Sequence, residues 1–345
     1  MIRKKIAGAV LAAVVAASLF LSGCGADIDP GTTVATMGDT KISYGLANFW
    51  LRMQQANYDG MYRSYFGDSM WTDVDPSGTE KTLGETLKDS VMQGFKQLYV
   101  LDAHKADYNI ALTDDEMAKI KSVAKAFIEN NSSSVSKGYA VTREEDVAEA
   151  LRLLTVEAKV SAAIKAGADK NVTDEEADQR TFTYARFSIK TKMDDNGGSV
   201  DMTEEEIATA RSDAAKVLED VKAGGDLKTL AEEKKAVVSA YSYGKDDEGM
   251  DKNVIAAADK LKEGELSELV ESEGNLYILR LDMEHDPQAI SDKKQGIITQ
   301  RENDLFDSVT KPWVEAADFK IDEAVWSKVG FDRVMSMAAP SSEAN

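Results

Sequence analysis

The chain has 345 residues, 30% of them charged, and 61 acidic against 41 basic side chains give a net charge of −20. A surface of that sign repels nucleic acid and anionic lipid, so neither is expected as a partner. One cysteine and two histidines, His104 and His285, exclude an internal disulfide and argue against a histidine-rich metal centre or a Ser-His-Asp triad, so no cofactor is expected.

Arg3, Lys4 and Lys5 precede an uncharged stretch from Ile6 to Leu21, the pattern of a secretory signal peptide. It runs into Leu21-Ser22-Gly23-Cys24, which resembles the lipobox of bacterial lipoproteins, where the leader is cut before the cysteine and the thiol is diacylated. The resemblance implies a leader over 1–23 and an extracytoplasmic chain held at the bacterial cell membrane by lipid on Cys24. An uncleaved N-terminal anchor is the other reading, and it too places the bulk of the chain outside the cytoplasm. Residues 24–32 are polar, are broken by Pro30 and Gly31, and read as a tether.

Val34–Met37 and Thr40–Ser43 suggest two short strands around Gly38-Asp39, after which Tyr44 to Met53 turns helical. Gly67, Pro76 and Gly78 mark a loop holding Trp71. Leu87, Val91, Phe95, Leu98 and Tyr99 recur at helical spacing, predicting a helix from Leu83 to about His104 with one buried face. Three Thr-x-x-Glu boxes, Thr113–Glu116, Thr142–Glu145 and Thr173–Glu176, predict three further helix starts. His104 and His285 both read as surface residues.

From Thr181 to Ile189 the sequence alternates and is rich in β-formers, predicting a strand. A Thr203–Glu206 box opens a helix stopped by Gly224-Gly225. A short helix (Leu227–Glu233), a strand (Val237–Tyr243), a helix near Val254–Leu261, a turn at Glu263-Gly264 and a strand (Leu276–Met283) follow. A long helix resumes after Pro287, then a strand at Phe319–Ile321 and a helix at Ala324–Val329. The fold class is α+β: a mainly helical domain built from both chain ends, 33–178 and 288–333, around a small α+β insert over 179–287. Residues 334–345 read as a disordered tail.

The opening Val34–Ser43, the helix from Leu83 to His104, Ile110–Glu116 and Trp313–Ile321 resemble the helical chaperone domain of PrsA/SurA-type foldases. Within the insert, Ala185–Lys190, Lys222–Ala231, Leu261–Ser267 and Gly274–Leu281 are similar to a parvulin domain. Parvulins twist X-Pro bonds, whose uncatalysed barrier is about 20 kcal/mol, in a groove with an apolar proline pocket. The resemblance implies a groove with two facing histidines, an Asp or Cys, and a Met/Phe pocket. Here the histidine positions fall on Arg186 and Tyr277, the Met is Met250, the Phe position is Val254, and the Asp/Cys segment is shortened to Val237–Gly244. Tyr241 and Tyr243 line that groove or serve sheet packing. The catalytic residues are therefore unknown, and the groove expected from the resemblance comprises Arg186, Tyr241, Tyr243, Met250, Val254 and Tyr277.

The function implied is a membrane-anchored chaperone or foldase whose partners are unfolded or newly secreted polypeptides, with a parvulin domain degenerate in catalysis. An active peptidyl-prolyl isomerase is the first alternative, and a solute-binding lipoprotein of a transporter the second. Trp50, Trp71 and Phe66 offer either an apolar client surface or core packing. Homodimerisation through the helical arms is a further possibility.

Overall fold

The computed structural model describes residues 28–78, 80–130, 143–194, 197–245, 247–331 and 334–335. The leader, Cys24 and Thr142 of the second capping box lie outside them. Strand β1 (Thr33–Met37) turns at Gly38, whose φ of +54° favours a residue without a Cβ, into β2 (Thr40–Ser43). Ser43 caps α1 (Tyr44–Phe66), its hydroxyl accepting from Leu46 N at 3.2 Å. This helix runs far beyond the predicted Met53. Helix α2 (Leu83–His104) opens on a capping box between Thr82 and Glu85. Helix α3 (Asp114–Asn130) uses the predicted box, with Thr113 N donating to Glu116 at 2.8 Å and Glu116 N to Thr113 Oγ1 at 3.2 Å. Helix α4 (Glu144–Lys165) follows.

Half of the Thr173–Glu176 box forms, Glu176 N donating to Thr173 Oγ1 at 3.1 Å, and it closes a turn rather than a helix. Arg301 Nη2, at 2.5 Å, takes the Glu176 carboxylate that a capping box would turn back, and the chain passes directly into β3 (Arg180–Ser188). The hairpin β4 (Thr191–Met193) and β5 (Ser199–Asp201), α5 (Glu204–Lys222), α6 (Leu227–Glu233), β6 (Val237–Tyr243) and α7 (Lys252–Ala258) come next. Strands β7 (Val270–Ser272) and β8 (Asn275–Met283) join through Glu273 and Gly274, both at positive φ, a two-residue loop whose twist suits antiparallel strands. Helix α8 (Pro287–Ala316), β9 (Phe319–Ile321) and α9 (Glu323–Trp326) close the chain.

The chain divides into two units. The helical unit comprises the described residues up to Ala168 and from Glu302 onward; the insert is Asp169–Arg301. These limits lie outward of the sequence reading, because residues 169–178 bind the first half of α8: Asp174 pairs with Lys294, and Arg301 reaches Asn171 O at 3.2 Å as well as Glu176.

In the helical unit β1 is the centre of a sheet ordered β2-β1-β9, all antiparallel, so both chain ends are needed to build it. Phe95, Phe127, Leu51, Met92 and Ile120 fill the core beside it. The second half of α8 packs Leu305, Phe306, Val309 and Trp313 against Leu101, Val156, Val160 and Ile164. Trp313 stacks on His104 at 4.0 Å, so this histidine is half-buried rather than the free surface residue expected. Residues beyond Trp326 also join this core. Phe331 stacks on Trp71 at 4.5 Å, and buried Met335 donates its amide to Asp59 Oδ2 at 2.9 Å. Met335 therefore belongs to the fold, inside the stretch read as a tail, while Val334 beside it is exposed. The apolar Met335 side chain and the Asp59 carboxylate that accepts its amide provide the reason.

In the insert an antiparallel sheet ordered β6-β3-β8-β7 buries both faces. Ala185, Phe187, Leu276 and Ile278 face α5 and α6. Phe182, Tyr277, Leu279 and Leu281 face α7.

Candidate functional site

The α7 face of the insert carries every groove residue read from the sequence. Arg186 on β3 lies directly opposite Tyr277 on β8 and Val237 on β6, and partners in register share a face. Two and four residues back, Tyr184 and Phe182 continue that face, with Phe182 opposite Tyr241. The aromatic rings interlock: Tyr184 to Tyr277 at 5.9 Å, and Phe182 to Tyr241 and Tyr243 at 5.9 and 5.5 Å. Helix α7, capped by Asp251, sets Val254 against them, with Met250 at its threshold.

Burial divides this set. Val254, Tyr243 and Tyr277 are buried, whereas Arg186 is exposed and Tyr184, Tyr241 and Met250 are half-buried. The surface available to a peptide is thus narrower than the expected groove and includes Tyr184, whose role the β3 alternation alone could have suggested. Tyr241 Oη donates to Asp247 at 2.6 Å, and the same carboxylate accepts from Gly249 N at 3.0 Å, drawing the loop before α7 against the ring. Burial first, and this carboxylate second, push the Tyr241 hydroxyl up to about 12. Tyr243 is raised by burial and by its bond to Asp259 at 3.0 Å. Both phenols therefore act as neutral hydrogen-bond groups at physiological pH.

No imidazole stands among these residues. His285, the insert's histidine, is exposed at the end of the sheet, held by Asp178 at 2.8 Å. What remains is an apolar wall, phenolic hydroxyls and the Arg186 guanidinium, for which no described residue supplies a partner. Such a surface can hold an extended peptide and desolvate an amide, but it offers no neutral base or acid of ordinary pKa near 7.

The helical unit has a separate concavity. A cavity of about 330 Å³ lies between α1 and α2, with Glu157 of α4 on its wall. Trp50, Gln54 and Tyr58 line it at four-residue spacing, one face of α1. The same stripe continues to Tyr62 and Phe66, with ring separations of 5.7 Å (Tyr58 to Tyr62) and 6.3 Å (Tyr62 to Phe66). Tyr62, Phe66, Met61 and Tyr65 are exposed, Tyr65 by 83%. Of the three aromatics singled out in the sequence, Trp50 is half-buried in the cavity wall, Trp71 is core, and only Phe66 is open surface.

Residues 190–291 match the family model of the PPIC-type PPIase domain. A comparison with curated proteins gives no match. Among solved structures, the chain is similar to the peptidylprolyl isomerase PrsA of Bacillus cereus at 21% identity, covering 72% of this chain and 92% of that one, with a TM-score of 0.32. The foldase PrsA of Lactococcus lactis gives 17% identity, 86% and 96% coverage and a TM-score of 0.35. A SurA-like chaperone of Campylobacter jejuni gives 8% identity, 84% and 99% coverage and a TM-score of 0.29. Through residues 190–291, then, this α+β chain carries a parvulin domain of the PPIC type, inserted in sequence between the two parts of a helical unit.

Proposed function

We propose that the chain is a PrsA/SurA-type foldase: an extracytoplasmic chaperone, anchored through lipid on Cys24, that binds unfolded secreted polypeptides and uses its parvulin insert mainly to hold peptide. The exposed aromatic edge of α1, running into an open cavity, carries this reading. Contiguous exposed apolar surface of this kind marks a site for apolar partners. A lipid tether would raise the local concentration of the chaperone around chains emerging at the membrane. The loss of both imidazoles supports binding over isomerisation in the insert.

The test is refolding of a proline-limited protein with and without the full chain, recording rate and yield together. A higher yield at unchanged rate is the expected result; no gain in yield and no suppression of aggregation at stoichiometric amounts refutes the chaperone reading. An accelerated rate would establish the second reading, an active isomerase, which the family match and the retained Met250 favour. The solute-binding reading requires a parallel α/β sheet, and every strand pairing among the described residues is antiparallel.

A further inference from the structure

Glu157 is the anomaly of the helical unit. Its neighbours along α4 are acids and bases that find each other: Glu149 with Arg152 at 2.7 Å, Arg152 with Asp102 at 2.7 Å, and Lys159 with Glu116 at 2.7 Å. Glu157, half-buried on the same helix, has no hydrogen-bond or ion-pair partner among the described residues. Burial alone raises its carboxyl pKa, with no neighbouring cation to oppose the shift. A desolvated, unpaired carboxylate is costly. In this fold the cost is incurred on the wall of a cavity.

The walls around it are of three kinds. Leu83, Leu87, Val91 and Leu98 give aliphatic surface, Trp50 and Tyr58 give aromatic rings, and Gln54, Thr86, Ser90 and Gln97 give neutral amide and hydroxyl groups that can accept from a cationic head. The volume of about 330 Å³ lies at the small end of ligand pockets, roughly 300 Å³ upward. A long aliphatic stem with a cationic head matches all of this: the stem packs on leucine and ring, the head meets the carboxylate, and the rings add cation–π attraction. A bare divalent ion matches less well, since Glu157 is the one charged oxygen ligand on the wall and the other polar groups are neutral amides and hydroxyls.

We propose that this cavity is a socket for a lysine or arginine side chain of an extended client polypeptide, with Glu157 as the counter-charge. The proposal rests on the chaperone reading and names what that surface selects. Tyr58 belongs both to the socket and to the stripe leading to Tyr62 and Phe66, so a client segment binds with a basic residue in the cavity and apolar residues along the stripe. The chain's net charge of −20 attracts basic segments at longer range.

Two fluorescent peptides of one extended apolar sequence, differing only in a central lysine or norleucine, test this by anisotropy against the full chain. The lysine peptide is expected to bind roughly tenfold tighter, which corresponds to about 1.4 kcal/mol. Glu157→Gln erases that preference, bringing the lysine peptide to the affinity of its norleucine twin. A second variant, Gly94→Leu, fills the socket from α2, where a Cβ meets nothing within 4 Å, so the fold survives and the lysine peptide loses its advantage. Equal affinities for the two peptides, a preference that survives Glu157→Gln, or no binding of either peptide overturns the socket. If aggregation suppression persists in those cases, the chaperone reading stands without it; if suppression fails as well, both fall.

Discussion

Asp59 is a buried carboxylate and Glu157 a half-buried one, and their circumstances are opposite. Because burial raises the Glu157 pKa in the folded state, the protonated form is favoured there. Its stabilising contribution is complete below the unfolded glutamate value of 4.5 and is lost as pH rises through the higher folded value. Glu157→Gln has no such dependence. The melting temperature of this variant relative to the parent should therefore climb as pH is raised from the acid side to neutrality; a difference that stays flat with pH would refute the assignment. Asp59 is instead a satisfied hub, accepting from Trp71 Nε1 at 2.9 Å, Arg63 at 3.2 Å, Gln55 at 3.3 Å and Met335 N at 2.9 Å. Asp59→Ala removes the acceptor of the buried Trp71 Nε1 and Met335 amide donors, and a loss of about 3 kcal/mol in denaturant unfolding is expected. Hydrogen exchange at Met335 should quicken with it.

Helix α1 does two jobs along its length. Its first half is core, with Leu46, Phe49 and Leu51 buried, and its last turns present Met61, Tyr62, Tyr65 and Phe66 to solvent. Replacing exposed residues leaves stability within about 0.5 kcal/mol. Tyr62→Ser with Phe66→Ser should thus melt like the parent yet suppress client aggregation several-fold less well. Equal suppression would remove α1 from the client surface. In the insert, α7 shows the converse. Val254 is fully buried against Phe182 and Tyr277, so Val254→Phe, which introduces the Phe that the parvulin resemblance implies there, overpacks the core. A loss of roughly 1–3 kcal/mol in the insert's unfolding is expected, with no gain in the rate of proline-limited refolding.

At the scale of the molecule, the helical unit is closed by the end of the chain. Strand β9 pairs with β1, and Trp326, Val329, Phe331 and Met335 complete the core behind α1 and α2. The insert has its own two clusters on the two faces of its sheet. Truncation after Ala316 should therefore lower or abolish the thermal transition of the helical unit while that of the insert persists. A common loss of both transitions would contradict two separately cored units.

The sequence by itself determined most of the elements and their order, though not the β4–β5 hairpin or β7, and it predicted a helix at Thr173–Glu176 where a turn forms. Caps at Thr113 and Thr203, the alternation from Thr181 to Ile189 and the helical period from Leu87 to Tyr99 are local signals, legible because each depends on residues a few positions apart. The resemblance gathers Arg186, Tyr241, Met250 and Tyr277 in one groove; the strand register sets Arg186, Tyr241 and Tyr277 on one face, and Met250 packs against that face from the segment before α7. Only the tertiary structure decided which of them meet solvent. Burial of Val254 and Tyr277 depends on how α7 closes over the sheet, a contact between segments distant in sequence. Long-range partners also decided what local signals become: Arg301 takes the Glu176 carboxylate and a turn stands where the box predicts a helix, and Asp59 accepts an amide 276 positions away. The unpaired state of Glu157 belongs to the same class. A sequence shows a carboxylate beside many lysines, but only three-dimensional packing shows that none of the described ones reaches it.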